Sequence, residues 1–182
     1  MITPRPPAPC LADTHQVQSV ETSFPPPERC FSCDVLAGLT EVPGGGPIWQ
    51  NATVMVNHHE DPKSDKAYAD SRAGWFIICP IRHVTRIYDL SSEEWNTIGE
   101  VARTVDSALT HLYSSRRTLV ASLGWFTNDH IHFHCVPTFG AEVSFGSLNF
   151  DGAYTPVPLS SNQVAESVGH YLHANLLARS QA

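Results

Sequence analysis

The chain has 182 residues, 42% hydrophobic and 16% charged, with a net charge of −7. That length is enough for one compact core, and the acidic balance argues against a non-specific nucleic-acid surface. No apolar run is long enough to cross a bilayer and the first residues lack the apolar core of a signal peptide, so neither a nucleic-acid nor a membrane partner is expected. Five cysteines, an odd number, suit a reducing, cytoplasmic setting better than a disulfide framework.

Residues 1–28 hold seven of the fourteen prolines, including Pro25, Pro26 and Pro27. They predict a disordered or loosely packed arm ahead of a single domain over 29–182. Cys30-Phe31-Ser32-Cys33 follows the arm. Such a pair is half a zinc site, a redox pair or a coincidence. A thioredoxin-like pair would open a helix after a strand, whereas this one follows prolines. Without a second Cys pair, histidines would have to complete a metal site. Residues 53–56 predict a short strand. Residues 57–70 are polar and predict a surface loop holding His58 and His59 as solvated residues. Residues 75–80 read as a buried strand ending at Pro80.

Ser91-Ser92-Glu93-Glu94 fits a capping box that opens a helix. Trp95, Ile98, Val101, Val105, Ala108, Leu109 and Leu112 recur at helical spacing, an apolar stripe for a core or a dimer surface. Residues 119–126 predict the next strand. Residues 138–160, rich in Gly, Pro, Ser and aromatics, predict a long connection. There Phe139, Phe145, Phe150 and Tyr154 can cover a ligand or pin the loop to the core. Residues 162–178 predict a second helix with His170 and His173 on its surface.

The densest chemistry lies between these elements. His130, His132 and His134 alternate with Ile131, Phe133 and Cys135. Period two is strand geometry, so the three imidazoles share one face and the apolar residues take the other. A neutral imidazole can be a nucleophile, a base or a metal ligand. Neighbours in such a row stand roughly 6–7 Å apart and its ends roughly 13 Å. A zinc–nitrogen bond is only about 2.0–2.1 Å, so a single metal holding all three rings would be strained. The rings divide their labour. A catalytic metal on the row would need an open coordination position. A phosphate site in so acidic a chain must be local, built from His, backbone N–H groups and Arg82.

Residues 130–136 resemble the His-x-His-x-His-x-x signature of the histidine triad superfamily of nucleotide hydrolases and transferases. Other stretches fit in the family's order: Cys30 to Gly38 resembles the Cys-x-x-Cys opening of many members, Gly74 to Val84 the strand and Pro-basic-His turn, and Tyr88 to Trp95 the start of the main helix. The resemblance covers roughly residues 30–140. It implies an α+β fold, an antiparallel sheet of about five strands with one long helix packed on it and a C-terminal helix.

The resemblance also implies roles. His132 would attack the α-phosphate of a nucleotide conjugate, a phosphoramidate or a dinucleoside polyphosphate, to form a nucleotidyl-histidine. His134 would bind the phosphate oxygens. Thr127 aligns with a hydroxyl position that contacts phosphate or leaving group in relatives, although an ordinary strand-edge Thr fits as well. Asn57 is the nearest match to an acidic residue used for the ribose hydroxyls. Cys30, Cys33, His83 and His130 match the ligands of a closed, structural zinc site. A nucleotide-containing small molecule and a second copy of the chain, as a homodimer, are the implied partners. Two departures stand out. The Gly-Gln pair common before the triad is replaced by Trp125-Phe126-Thr127-Asn128-Asp129, and Trp75 stands where many relatives have His. They leave the nucleophile intact and point to a specialised substrate or acceptor. A nucleotide-binding regulatory protein with little turnover is the second reading.

Overall fold

A computed structural model describes residues 30–59, 73–123, 129–139 and 159–177. The elements run α1 (Phe31–Leu36), β1 (Trp49–Gln50), β2 (Val54–His58), β3 (Phe76–Pro80), a 3-10 turn (Ile87–Asp89), α2 (Ser92–Tyr113), β4 (Arg117–Ala121), β5 (Phe133–Thr138) and α3 (Ser161–Leu177). The strands form one five-stranded sheet in the order β1-β2-β3-β5-β4, antiparallel at every pairing. The expected α+β architecture is therefore present, with a long helix and a C-terminal helix. Among the described residues no helix is long and apolar enough to cross a membrane.

Alternation along the strands sorts the sheet into two faces. Val54 and Val56 of β2, Phe76 and Ile78 of β3, and Phe133 and Cys135 of β5 join the main core. Ile98, Val101, Val105, Ala108 and Leu109 of α2 pack into the same core, with Val164, Ala165, Val168 and Leu172 of α3. Trp75, Ile77 and Val136 form a smaller cluster with Leu119, of opposite parity along β3 and β5. Both helices thus cover one face, and the other is left for the His row.

The start of α2 follows its sequence. Ser91 Oγ accepts the Glu94 N–H at 3.1 Å, and Glu94 Oε2 accepts the Ser91 N–H at 2.7 Å, a reciprocal capping box. Such a cap contributes about 1 kcal/mol. Arg82 donates to the same carboxylate at 2.9 and 3.2 Å and to the Asp89 carbonyl at 2.9 Å. The stripe is buried at its centre, but Trp95 and Leu112 at its two ends are 49% and 43% exposed.

Several expectations are corrected. Asn57 and His58 belong to β2 and are buried, not in a surface loop. Local hydrogen bonds make their burial tolerable: the His58 ring donates from Nδ1 to the His59 carbonyl at 2.8 Å and accepts the Gly74 N–H at Nε2 at 3.0 Å. Gly74 adopts φ 95°, a left-handed conformation that glycine enters without steric cost. The strand expected over 119–126 is Arg117–Ala121. The ladder of β5 opens at Phe133, after two of the three histidines. Before it, the Ile131 N–H is taken by the Val84 carbonyl at 2.6 Å. The proline arm, most of the 57–70 segment and most of the 138–160 connection lie outside the described residues. Phe139, at the edge of that connection, packs on the core.

The hydrogen bonds from Arg82 and from Ser91 hold the Glu94 carboxyl below its usual value of 4.5 against the opposing effect of burial. A depressed carboxyl contributes stability that is present above its unfolded pKa and lost as pH falls through the folded one. Arg82 is 56% exposed, so solvent screens much of the ion pair's contribution to stability. Urea denaturation should show Glu94→Gln less stable than the parent at neutral pH. That gap should close as pH falls below about 4.5; a gap independent of pH would contradict the assignment.

Candidate functional site

Cys30 is the N-cap residue of α1 and Cys33 lies in its first turn. The pair therefore opens a short helix. The helix carries both sulfurs to the end of β3. There Cys30 Sγ is 3.5 Å from His130 Nδ1, and Cys33 Sγ is 3.4 Å from His83 Nδ1 and 3.6 Å from His130 Nδ1. One potential ligand atom from each of the four residues lies within 4.8 Å of the others. A tetrahedral ion with zinc-like bonds of about 2.3 Å to sulfur and 2.05 Å to nitrogen separates S from N by about 3.5 Å. The observed S···N distances match that edge.

Electrostatics support the same use. Burial and the neighbouring Cys30 push the Cys33 thiol up to about 11. A bound cation would favour the Cys33 thiolate instead. The His130 ring is neutral, its pKa held near 4 by burial and by nearby His83. His130 Nε2 donates to the Pro80 carbonyl at 3.0 Å, leaving a lone pair on Nδ1 toward the sulfurs. That is the outer-shell hydrogen bond by which proteins orient a metal-binding imidazole.

The other two rings have different partners. His132 Nδ1 donates to the His130 carbonyl at 2.7 Å. Its Nε2 therefore keeps the lone pair. Burial lowers the His132 pKa and that hydrogen bond opposes the shift only in part. His134 Nδ1 instead accepts the indole N–H of Trp75 at 2.9 Å, so in the neutral ring the proton sits on Nε2. The His132 and His134 rings meet edge to face with centroids 4.9 Å apart. A lone pair and an N–H donor thus stand side by side. Losing either buried hydrogen bond costs about 1–3 kcal/mol, and each 1.4 kcal/mol shifts a tautomer ratio roughly tenfold.

No family model and no curated protein matches the sequence. Solved structures do match the fold. A zinc-bound histidine triad family protein from Mycobacterium smegmatis is 15% identical, with 82% of this chain and 96% of that one covered at a TM-score of 0.57. A hypothetical histidine triad nucleotide-binding protein from Sulfolobus tokodaii is 11% identical, with 80% and 93% covered at 0.56. The chain has the histidine triad fold. A diadenosine triphosphate hydrolase from Plasmodium falciparum, solved with cyclomarin A, shares it at 13% identity, 71% and 77% coverage and a TM-score of 0.50.

Within this histidine triad fold, His132 and His134 come together, as do Cys30, Cys33, His83 and His130. Asn57 is in β2, two strands from His134, aligned with it through Ile77. Its amide donates to the His58 carbonyl at 3.0 Å. Thr127 lies outside the described residues. Arg82, a candidate phosphate ligand on sequence, is engaged by Glu94 and Asp89 at the start of α2. Sequence reasoning missed Trp75 as a partner of His134, and His59 stacked on it at 4.6 Å and 28°. The available signals were that Trp75 shares the parity of Ile77 and Cys79 and stands where many relatives of the resembled family have His; which strand it would meet was not encoded locally.

Proposed function

We propose that this chain is a nucleotide hydrolase or nucleotidyl transferase acting at the α-phosphate of a nucleotide conjugate, of the phosphoramidate or dinucleoside polyphosphate type. The observation that carries the reading is the opposed tautomers of neighbouring rings, a lone pair on His132 Nε2 beside a donor on His134 Nε2. His132 Nε2 attacks phosphorus and forms a P–N bond. The bond to the leaving group breaks, and that group departs with the bonding pair and takes up a proton. The His132 Nδ1–H, held by the His130 carbonyl, stabilises the charge that the ring acquires. His134 donates to a non-bridging phosphate oxygen as charge builds there. Water or another hydroxyl acceptor then attacks phosphorus and forms a P–O bond, its proton passes to solvent, and the P–N bond breaks to restore the lone pair. Asn57 faces the same side of the sheet as His134 and is the candidate for ribose contacts; Thr127 is the candidate for a phosphate or leaving-group contact.

Cys30, Cys33, His83 and His130 are proposed to hold zinc. Two sulfurs and two nitrogens make a closed set, so the ion would be structural and tie α1 to the strand that carries the triad. A reducing compartment such as the cytoplasm suits those thiols. The proposed homodimer uses edge strand β4, where Val120 is half exposed, and the end of α2 at Leu112; a dimer mass by light scattering is the expected result.

Against a panel of adenosine and guanosine phosphoramidates and dinucleoside polyphosphates, the parent should turn over at least one compound. His132→Ala should lose about three orders of magnitude or more, with its circular dichroism and zinc content unchanged. Hydrolysis at the parent rate would contradict the nucleophile, and nucleotide binding with no turnover would favour the regulatory reading. Cys30→Ser with Cys33→Ser should lose zinc by elemental analysis and melt at lower temperature. Unchanged zinc content would refute the site.

A further inference from the structure

We propose that Trp75 is a positioning residue for the transfer reaction, fixing the tautomer of His134 through its indole N–H. The inference rests on the nucleotide-transfer reading above and concerns how one ring of that site is kept in its working form. The indole Nε1–H lies 2.9 Å from His134 Nδ1. An indole is a donor only, with no acceptor lone pair and no titration near neutral pH. Its partner nitrogen must therefore be an acceptor, and the remaining proton must sit on Nε2. An imidazole at position 75 would lack this property. Two imidazoles can share a proton in either sense, and either ring can titrate.

The surroundings hold the indole in place. Trp75 is buried. Its carbonyl accepts the His59 N–H at 2.7 Å, which extends the β2–β3 pairing by one residue. The His59 ring lies over the indole with centroids 4.6 Å apart. Ile77 pairs directly with His134 across β3 and β5, so Trp75, two residues earlier, projects from the same face as His134. The indole meets the His134 ring edge on, with centroids 5.5 Å apart and planes at 68°, an arrangement compatible with the N–H···N bond between them.

The consequence is functional because His132 is fixed in the opposite sense. If the Trp75 donor is removed, the proton of His134 can move to Nδ1. Nε2 would then offer a lone pair where the phosphate oxygen needs a donor. The loss would fall on the transition state, where charge on that oxygen is greatest. Trp75→Phe, which keeps an aromatic ring and deletes the donor, should lower kcat ten- to a hundredfold with KM changed less than threefold. Trp75→His, which can donate again, should recover part of kcat.

The deciding measurement is 15N NMR of the full-length, zinc-supplied protein without nucleotide. In the parent, His134 should be protonated at Nε2, and a scalar coupling across the hydrogen bond should join Trp75 Nε1 to His134 Nδ1. In Trp75→Phe, His134 should become a mixture of tautomers. A parent His134 protonated at Nδ1, or no coupling to Trp75, would overturn the proposal even if the variant fails to fold. A folded Trp75→Phe protein with an unchanged His134 tautomer or parental kcat would also overturn it. Because the tautomer is read without substrate, a parent with the expected tautomer and no turnover of any nucleotide conjugate would overturn the transfer reading and not the hydrogen bond.

Discussion

The pairing of β3 with β5 is the constraint on which the rest of the site depends. Its register sets Phe76 against Cys135, Ile77 against His134 and Ile78 against Phe133. A slip of one residue would turn every side chain of β5 to the other face. His134 would then be driven into the helix-covered core, and Phe133 and Cys135 would be driven out of it. The apolar partners of the His row therefore do more than fill space. Phe133 and Cys135, buried with α2 and α3, fix which face the imidazoles occupy. The same register brings Trp75 to His134 and the Pro80 carbonyl, at the end of β3, to His130.

Three imidazoles in one short stretch thus have three different hydrogen-bond partners. A carbonyl holds the proton of His130 on Nε2 and frees Nδ1 for the sulfur pair. A carbonyl holds the proton of His132 on Nδ1 and frees Nε2. An indole donor keeps the proton of His134 on Nε2. Two of the three partners are main-chain groups, one of them at the end of β3, so the tautomers are set by the path of the backbone as much as by side chains. Burial works in the same direction, since it disfavours the charged form of His130 and His132.

Much of this was legible in sequence where a local rule applies. The capping box at Ser91 and Glu94 and the stripe of α2 each depend on spacing within one element, and each is present; of the triad, only His134 lies in the strand. The zinc-type quartet was legible only through family resemblance, because Cys33 and His83 are fifty residues apart. Elsewhere tertiary partners decided the outcome. Asn57 and His58 read as loop residues because they are polar, yet the Gly74 N–H and two neighbouring carbonyls satisfy them inside β2. The ladder of β5 begins later than the alternation does, because Val84 competes for the Ile131 N–H. The role of Trp75 was invisible for the same reason: a donor on one strand and an acceptor on another are related only by register.

The central claim, that His132 Nε2 is the atom that takes the nucleotide, is tested most directly by rapid quench of the full chain with a turned-over conjugate, followed by intact-mass and peptide-level mass spectrometry. The account predicts a single nucleotidyl adduct on the peptide containing His132, lost on acid treatment as a P–N bond requires and absent from His132→Ala. Turnover with the adduct on another residue, or turnover in His132→Ala at the parent rate, would contradict it.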